Sequence, residues 1–412
     1  MILRFSFVVY LILAVALYCY PQTNSHIVIS GKITDQETGE HLPYATIGIM
    51  GTAIGVVSNK SGQFSINIPK AHLGDSLLVS MFGYHRIKMP IKDLSANEHF
   101  KLKQQVFELD EILISAKDKK LTGDDVWKLA RKNQRSNLPD DDYSLTTFFR
   151  ETYQLNGQYF KLLEAAATIY GRSFPRAKKD VFIDEIRLLR GVDVSLPLSI
   201  GKDYNPFREF QGTTNRLPNR KACANCSYEI KEYIANDNGL LAKITSKQSS
   251  PDFIYCRRFT YLIDMDNYAV LQFEFEAMMP FGQGFPETLD STYNSSLTYL
   301  KRRVDYSKYE DKYYLNQYHQ HIKHEYRAIE SSEKYTSEHQ FYLIANNVNP
   351  NVELQNEPID KMNYRSKLES NVQEFNEEFW ANYNILLQTP QDEKIINDLE
   401  EAKSDITQLN DN

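Results

Sequence analysis

Between residues 26 and 103 the chain alternates apolar and polar positions in short runs, each closed by turn-forming residues. The runs at 26–34, 42–50, 54–58, 63–68, 76–81, 86–91 and 99–103 predict strands, because a period of two sends one set of side chains to a dry face and the other to water. Strands this short and this evenly spaced predict two packed sheets. The turns have local causes. Thr38-Gly39 and Ser61-Gly62 each supply a residue free to adopt positive φ, and Pro69 closes a strand by withholding a ladder donor.

A helical period interrupts the pattern at Thr122. Asp125, three residues on, completes a capping-box signature, Val126, Leu129, Ala130 and Asn133 fall along one stripe, and Pro139 ends the helix. Strand patterns return at 144–155 and 158–170, joined by Asn156-Gly157, the pair best suited to a two-residue hairpin. The stretch 171–222 is less regular. Beyond it a meander is expected, pairing 227–235 with 240–247, 253–264 with 268–277, and 297–309 with 312–329 across Glu310-Asp311. Leu271, Phe273, Phe275 and Ala277 alternate with Gln272, Glu274 and Glu276, which predicts one dry and one wet face. Helical spacing reappears at 372–383, with Phe375, Phe379 and Trp380, and after Thr389-Pro390, where Ile395, Ile396 and Leu399 share a side. The tail after Glu401 is polar and expected to fray.

Composition strengthens the strand-rich reading. The 412 residues are 42% hydrophobic and 12% aromatic, with 27 Tyr and 22 Phe, side chains that pack well on half-buried pleated surfaces. That is enough apolar material for a core in each of two or three domains. A formal net charge of −7 removes the electrostatic reason to expect nucleic acid, and the basic stretches 117–120 and 301–303 read as solvated faces or turn flanks.

The first residues change the picture of where the chain works. Arg4 followed by the apolar run 5–18 has the length of a secretory h-region and is short for a bilayer span, so residues 1–25 are expected to be a signal peptide. Thr23 and Ser25 place small residues at −3 and −1 for cleavage before His26. Lipidation at Cys19, against which bulky Tyr18 counts, and an uncleaved anchor are the alternatives. The other cysteines, Cys223, Cys226 and Cys256, are an odd set, so at least one thiol stays over if a pair bonds. Cys223-Ala-Asn-Cys226 precedes a strand pattern, where a redox pair would open a helix, and it lacks a second ligand pair for zinc. A structural disulfide, unpaired thiols and a metal all stay open.

Four runs stand in sequence: Ser30-Gly31-Lys32-Ile33-Thr34-Asp35, Thr38-Gly39-Glu40-His41-Leu42-Pro43-Tyr44-Ala45-Thr46-Ile47, Ser58-Asn59-Lys60-Ser61-Gly62-Gln63-Phe64 and Gly83-Tyr84. By their order and spacing residues 27–105 resemble the carboxypeptidase D regulatory-like family. The resemblance implies a transthyretin-like β-sandwich that serves as an accessory module without an active site. Tyr44 and Asn59 stand where the family often has Gly and Asp, so both turns are expected to differ in detail. The run Leu109-Asp110-Glu111-Ile112-Leu113-Ile114-Ser115 resembles the segment that follows this module in TonB-dependent receptors. The later strands resemble, in pattern alone, the lipoprotein-sorting or carrier class, whose half-barrel cups an apolar ligand.

The motifs that carry chemistry are missing. None of the nine His has Glu three residues later, as a zinc carboxypeptidase requires, and there is no His-Glu-x-x-His, Gly-x-Ser-x-Gly, P-loop or dinucleotide fingerprint. On a strand, His319 and His321 share a face while His324 points away, so the three cannot converge on a metal. Glu274 and Glu276 lie about 7 Å apart on a wet strand face. No catalytic residue, metal ligand or cofactor is therefore assigned. The expectation is a mainly β chain: a signal peptide (1–25), a sandwich (26–105), a linker or edge strand (106–121), a larger antiparallel curved-sheet α+β domain (122–350) and a helical C-terminal segment (351–412). Its function is expected to be non-catalytic binding of an envelope protein, glycan or lipid, in the periplasm or at the outer membrane, with peripheral membrane association. A lipid or lipoprotein carrier, which needs an enclosed apolar cavity, and a divergent metal-dependent hydrolase are the alternatives.

Overall fold

The structure, a computed structural model, describes residues 26–105, 121–174, 179–190, 207, 210, 227–236, 239–247, 256–279, 286–288, 293–350, 352, 361–363, 368, 376–387, 395 and 397. The expected signal peptide, the 109–115 segment, Cys19, Cys223 and Cys226 lie outside the described residues.

The N-terminal module contains β1 (His26–Asp35), β2 (Thr46–Ile49), β3 (Gly55–Val57), β4 (Gln63–Pro69), β5 (Ser76–Ser80), β6 (Ile87–Pro90) and β7 (Asn97–Leu102). They form the two expected sheets, β4-β1-β7 and β3-β2-β5-β6, with β1 and β7 parallel. The inward residues of both sheets, among them Ile33, Ile47, Ile66, Ile68 and Leu102, make one sealed core. Gly39 and Gly62 both take φ 72, the left-handed turn geometry their positions required.

Gly31 has a different reason to be glycine. A Cβ there would sit 2.1 Å from the Glu98 carbonyl oxygen and 3.0 Å from the Phe64 ring, so a side chain would force β1 and β7 apart. Gly31→Ala is expected to cost about 1–3 kcal/mol in urea unfolding of the full chain, whereas Gly74→Ala, with nothing within 4 Å, should stay within about 0.5 kcal/mol of the parent.

The second part is built from β8 (Tyr143–Leu155), β9 (Gln158–Gly171), β10 (Lys179–Arg190), β11 (Tyr228–Asn236), β12 (Gly239–Ser246), β13 (Cys256–Asp264), β14 (Val270–Met278), β15 (Pro286–Thr288), β16 (Tyr293–Tyr309), β17 (Lys312–Ala328) and β18 (Lys334–Asn349). They form one sheet of order β10-β9-β8-β18-β17-β16-β14-β13-β12-β11, with β15 beside β16. All these pairings are antiparallel, and the Asn156-Gly157 hairpin has φ 48 and 82 at its two turn residues.

Helix α1 (Gly123–Asn137) begins as expected. The Thr122 side chain accepts from the Asp125 N–H at 3.2 Å, and Asp125 accepts from the Thr122 N–H at 3.1 Å. Its apolar stripe differs from expectation: Val126, Ala130 and Trp127 meet the sheet, while Asn133 bonds back to the Leu129 carbonyl. Asp124 accepts from the Tyr228 N–H at 2.7 Å, tying the helix to β11. Within the expected C-terminal helix the described residues form α2 (Glu377–Asn382), with the Asn376 side chain accepting from the Phe379 N–H; the expected start at 372–375 lies outside the described residues.

The sheet therefore has a helix face, covered by α1, and a module face, which receives the N-terminal module. A segment at 376–387 lies between module and sheet. Trp380 and Leu386 of that segment pack with Val57 of the module and with Phe148, Ala166 and Ile344 of the sheet. A register shift at Leu262/Ile263 corrects the expected dry stripe of β14: Phe273, Phe275 and Ala277 face the helix side, but Leu271 joins Leu241 and Leu262 on the module face, where Phe82 covers them. Among the described residues no helix is long and apolar enough to cross a membrane.

Candidate functional site

Antiparallel register decides which side chains can meet. On the helix face the central strands carry rings: Phe149 and Phe341 lie 4.5 Å apart, Phe207 stands 5.1 Å from Phe149, and Phe210 lies 5.6 Å from Tyr318. Towards β11, Trp127 stands 4.5 Å from Tyr261 and 5.0 Å from Tyr228. These contacts pack the described part of the helix face with the chain's own rings.

The same face turns polar at the Leu155 end of β8. Glu151, 1% exposed, meets Lys161 Nζ at 3.2 Å and His339 Nε2 at 2.9 Å, and His339 stacks on Tyr153 at 4.1 Å. Burial raises the Glu151 pKa, but the Lys161 charge and the His339 hydrogen bond outweigh it and hold the carboxyl at about 2. Next to it, Arg302 and Tyr318 both donate to Gln320 Oε1, at 2.8 and 2.5 Å. The buried charges are paired within the chain: Glu151 Oε1 is bonded to His339, while Oε2 has no hydrogen-bond partner and faces Lys161 as an ion pair.

The module face carries the second network. Glu164, 2% exposed, is gripped by Arg150 at 2.6 Å and Arg187 at 2.5 Å, beneath the 376–387 segment. Arg150 also donates to the Leu386 carbonyl at 2.8 Å, and the Arg187 guanidinium lies 4.4 Å from the Trp380 ring centroid.

Where the module does not cover this face, an open trough of about 570 Å³ crosses β11, β12, β13, β14 and β16. Four interstrand steps give it a length of roughly 19 Å. Its cations are Lys231, Lys243, Lys247, Arg258 and Lys301, and its carboxylates are Glu229, Glu274 and Glu276. Arg258 pairs with Glu276 at 3.5 Å, Arg303 approaches Glu274 at 4.0 Å, and the Thr245 and Thr260 hydroxyls meet at 3.3 Å on the floor. Leu241 and Leu262, which hold Phe82 of the module, are the next residues along β12 and β13 on this face. The module therefore borders the trough at one end.

The histidines singled out from the sequence are split between the two faces. His319 and His321 lie on the module face, His319 stacked on Tyr342 at 4.1 Å and His321 bonded to Glu338 at 2.6 Å. His324 is on the helix face, pushed down to about 4 by burial and by His339. The three do not converge, and among the described residues no group of His, Cys, Asp or Glu could hold a metal ion. Glu274 and Glu276 share the wet face as expected, and both line the trough. Cys256 opens β13. Glu151, Lys161 and His339 are not visible as a group in the sequence, because β18 carries no strand alternation and the partners sit far apart in the chain.

Residues 29–114 match the family described as CarboxypepD_reg-like domain. They are a CarboxypepD_reg-like domain. It spans about a fifth of the chain and extends past the 105 boundary expected from pattern. No curated protein matches the chain. Among solved structures, the chain is similar to a domain from Vibrio parahaemolyticus named for outer membrane lipoprotein sorting, at 9% identity over 56% of this chain and 93% of that one, with a TM-score of 0.25. It is also similar to a LolA superfamily protein from Nitrosomonas europaea, at 9% identity over 55% and 94%, TM-score 0.19. A membrane-associated protein of unknown function from Bacteroides fragilis matches at 12% identity over 79% and 98%, TM-score 0.16. Scores this low carry no functional weight.

Proposed function

We propose that this chain is an exported, non-catalytic binding protein of the cell envelope, and that a protein partner docks in the charged trough on the module face. The observation that supports the reading best is the contrast between the two faces. The described helix face is filled by the chain's own rings, while the open concavity is polar, elongated and lined by five cations and three carboxylates in a chain of net charge −7. A charged, partly ion-paired surface sets partner choice and encounter rate more than raw affinity. Lys247 and Lys301 line the trough on either side of the Arg258–Glu276 pair, which fits a partner with acidic side chains. Export is supported by the apolar run 5–18, and the accessory character of the CarboxypepD_reg-like domain supports binding over catalysis.

The test is a charge reversal, Lys243→Glu, Arg258→Glu and Lys301→Glu together, in the mature chain. Affinity capture from envelope extracts at low salt, followed by quantitative mass spectrometry, is expected to show one or a few proteins retained by the parent and reduced about tenfold or more by the variant, with salt weakening the parent interaction in the same way. Identical capture profiles for two equally folded proteins would remove the trough as the docking site. Native mass spectrometry of the parent carries the second reading: a co-purifying lipid would move the function to a carrier.

A further inference from the structure

Tyr44 adopts φ 63, the left-handed region that side chains other than glycine rarely occupy. Across the interface, the Arg303 guanidinium of β16 lies 5.4 Å from the centroid of the Tyr44 ring. Arg303 is itself fixed: its Nε lies 3.0 Å from both Asp305 oxygens and its Nη2 2.8 Å from one of them. The strained residue is the one that meets an immobilised cation on the other domain.

The neighbouring contacts repeat the pattern. Thr46 bonds Asn316 at 3.3 Å, and Lys60 donates to Gln340 at 3.4 Å. The Asn67 backbone N–H donates to Asn384 Oδ1 at 2.7 Å, and its side chain donates to the Tyr383 carbonyl at 3.1 Å. Asn346 of the sheet donates to the Asn384 carbonyl at 2.6 Å, so the 376–387 segment is bonded to both partners at once. At the far end, Phe82 is seated among Leu241, Leu262 and Leu271.

We infer that the CarboxypepD_reg-like domain is permanently docked on the sheet, with residues 376–387 as the strap between them and Tyr44 as the residue that selects this docking surface. The partner of this face of the domain is thus its own chain. Domain and sheet form one rigid body, and Arg303, held between Tyr44 and the trough carboxylate Glu274 at 4.0 Å, links the docked domain to the trough wall.

The experiment uses the full mature chain with a specific protease site inserted between residues 106 and 120. After cleavage the two pieces are expected to co-elute in size exclusion at micromolar concentration, and their separation as two folded species would overturn permanent docking. In the cleaved protein, Tyr44→Gly is expected to weaken reassociation tenfold or more. The sign is diagnostic: if the ring contributed nothing, glycine would relieve the φ 63 strain and leave association unchanged or tighter, which would overturn the role of Tyr44. Arg303→Met, on the sheet side and away from the strained turn, is expected to reproduce the weakening, and an unchanged affinity there would equally overturn it.

Discussion

Glu164→Ala is expected to cost about 3–5 kcal/mol of stability, because it strands two guanidiniums under the strap without a counter-charge. Glu164 is 2% exposed and receives Arg150 and Arg187 on its two oxygens, and although burial pushes its pKa up, the two arginine charges hold it below the ordinary range. The cost comes from the orphaned cations more than from the ion pairs as such. Replacing all three residues by apolar side chains of similar size, Arg150→Met, Glu164→Leu and Arg187→Met, is therefore expected to be far milder than the single change. Glu164→Gln should fall between them, since the amide keeps an acceptor but loses the charge. Urea unfolding of the four proteins measures the order. A single alanine variant no less stable than the parent would show that the triad does not hold the strap. The same variant should free residues 376–387 to proteolysis, since Arg150 bonds the Leu386 carbonyl and Arg187 packs on Trp380.

The triad also shows where sequence reasoning reaches its limit. The sandwich was legible because its strands alternate cleanly and its turns carry their own signals, so β1 to β7 fall close to the expected runs. The long hairpins of the sheet were legible for the same reason. β18 was not, because it is covered on both faces: Phe341 and Leu343 face the helix side while Tyr342 and Ile344 face the module, and two-sided burial erases the alternation. Its polar residues Gln340 and His339 are buried too, His339 with a partner supplied by another strand and Gln340 bonded to Tyr342 on its own. β10 was lost within a stretch whose apolar positions show no single period. Missing β18 removed the element that joins β8 to β17, and with it the means to bring Glu151 to His339 or to see one continuous sheet. The trough was half legible: the wet face of β14 was readable, but its cations come from four other strands whose order only tertiary pairing fixes.

Acidification is expected to destabilise the chain in two stages. In the first, His324 and His319 must stay neutral in the folded state. Burial and the nearby His339 push His324 down to about 4. Burial pushes His319 well below its ordinary value, assisted by the positive charges of Lys60, His321, Arg303 and Lys301 around it. The unfolded chain takes up these protons near 6.5, so their contribution is complete above that pH and is lost progressively as the pH falls below it, for His324 down to about 4. With allowance for partial solvent access, His324 alone should account for about 1–3 kcal/mol.

The second stage belongs to carboxylates held low. The hydrogen bond from His321, against the opposing effect of burial and with help from Lys323, keeps Glu338 at about 2, where the buried Glu151 also sits. Their stabilisation is present above about 4.5 and disappears between there and about 2, so both stages have the same sign and each of them lowers stability as the pH falls. Urea unfolding at about pH 7, 5 and 3 separates them. The variant His319→Gln, His324→Gln should flatten the upper stage and leave the lower one in place. A parent chain equally stable at about pH 7 and pH 5 would mean that neither imidazole is held neutral by the fold.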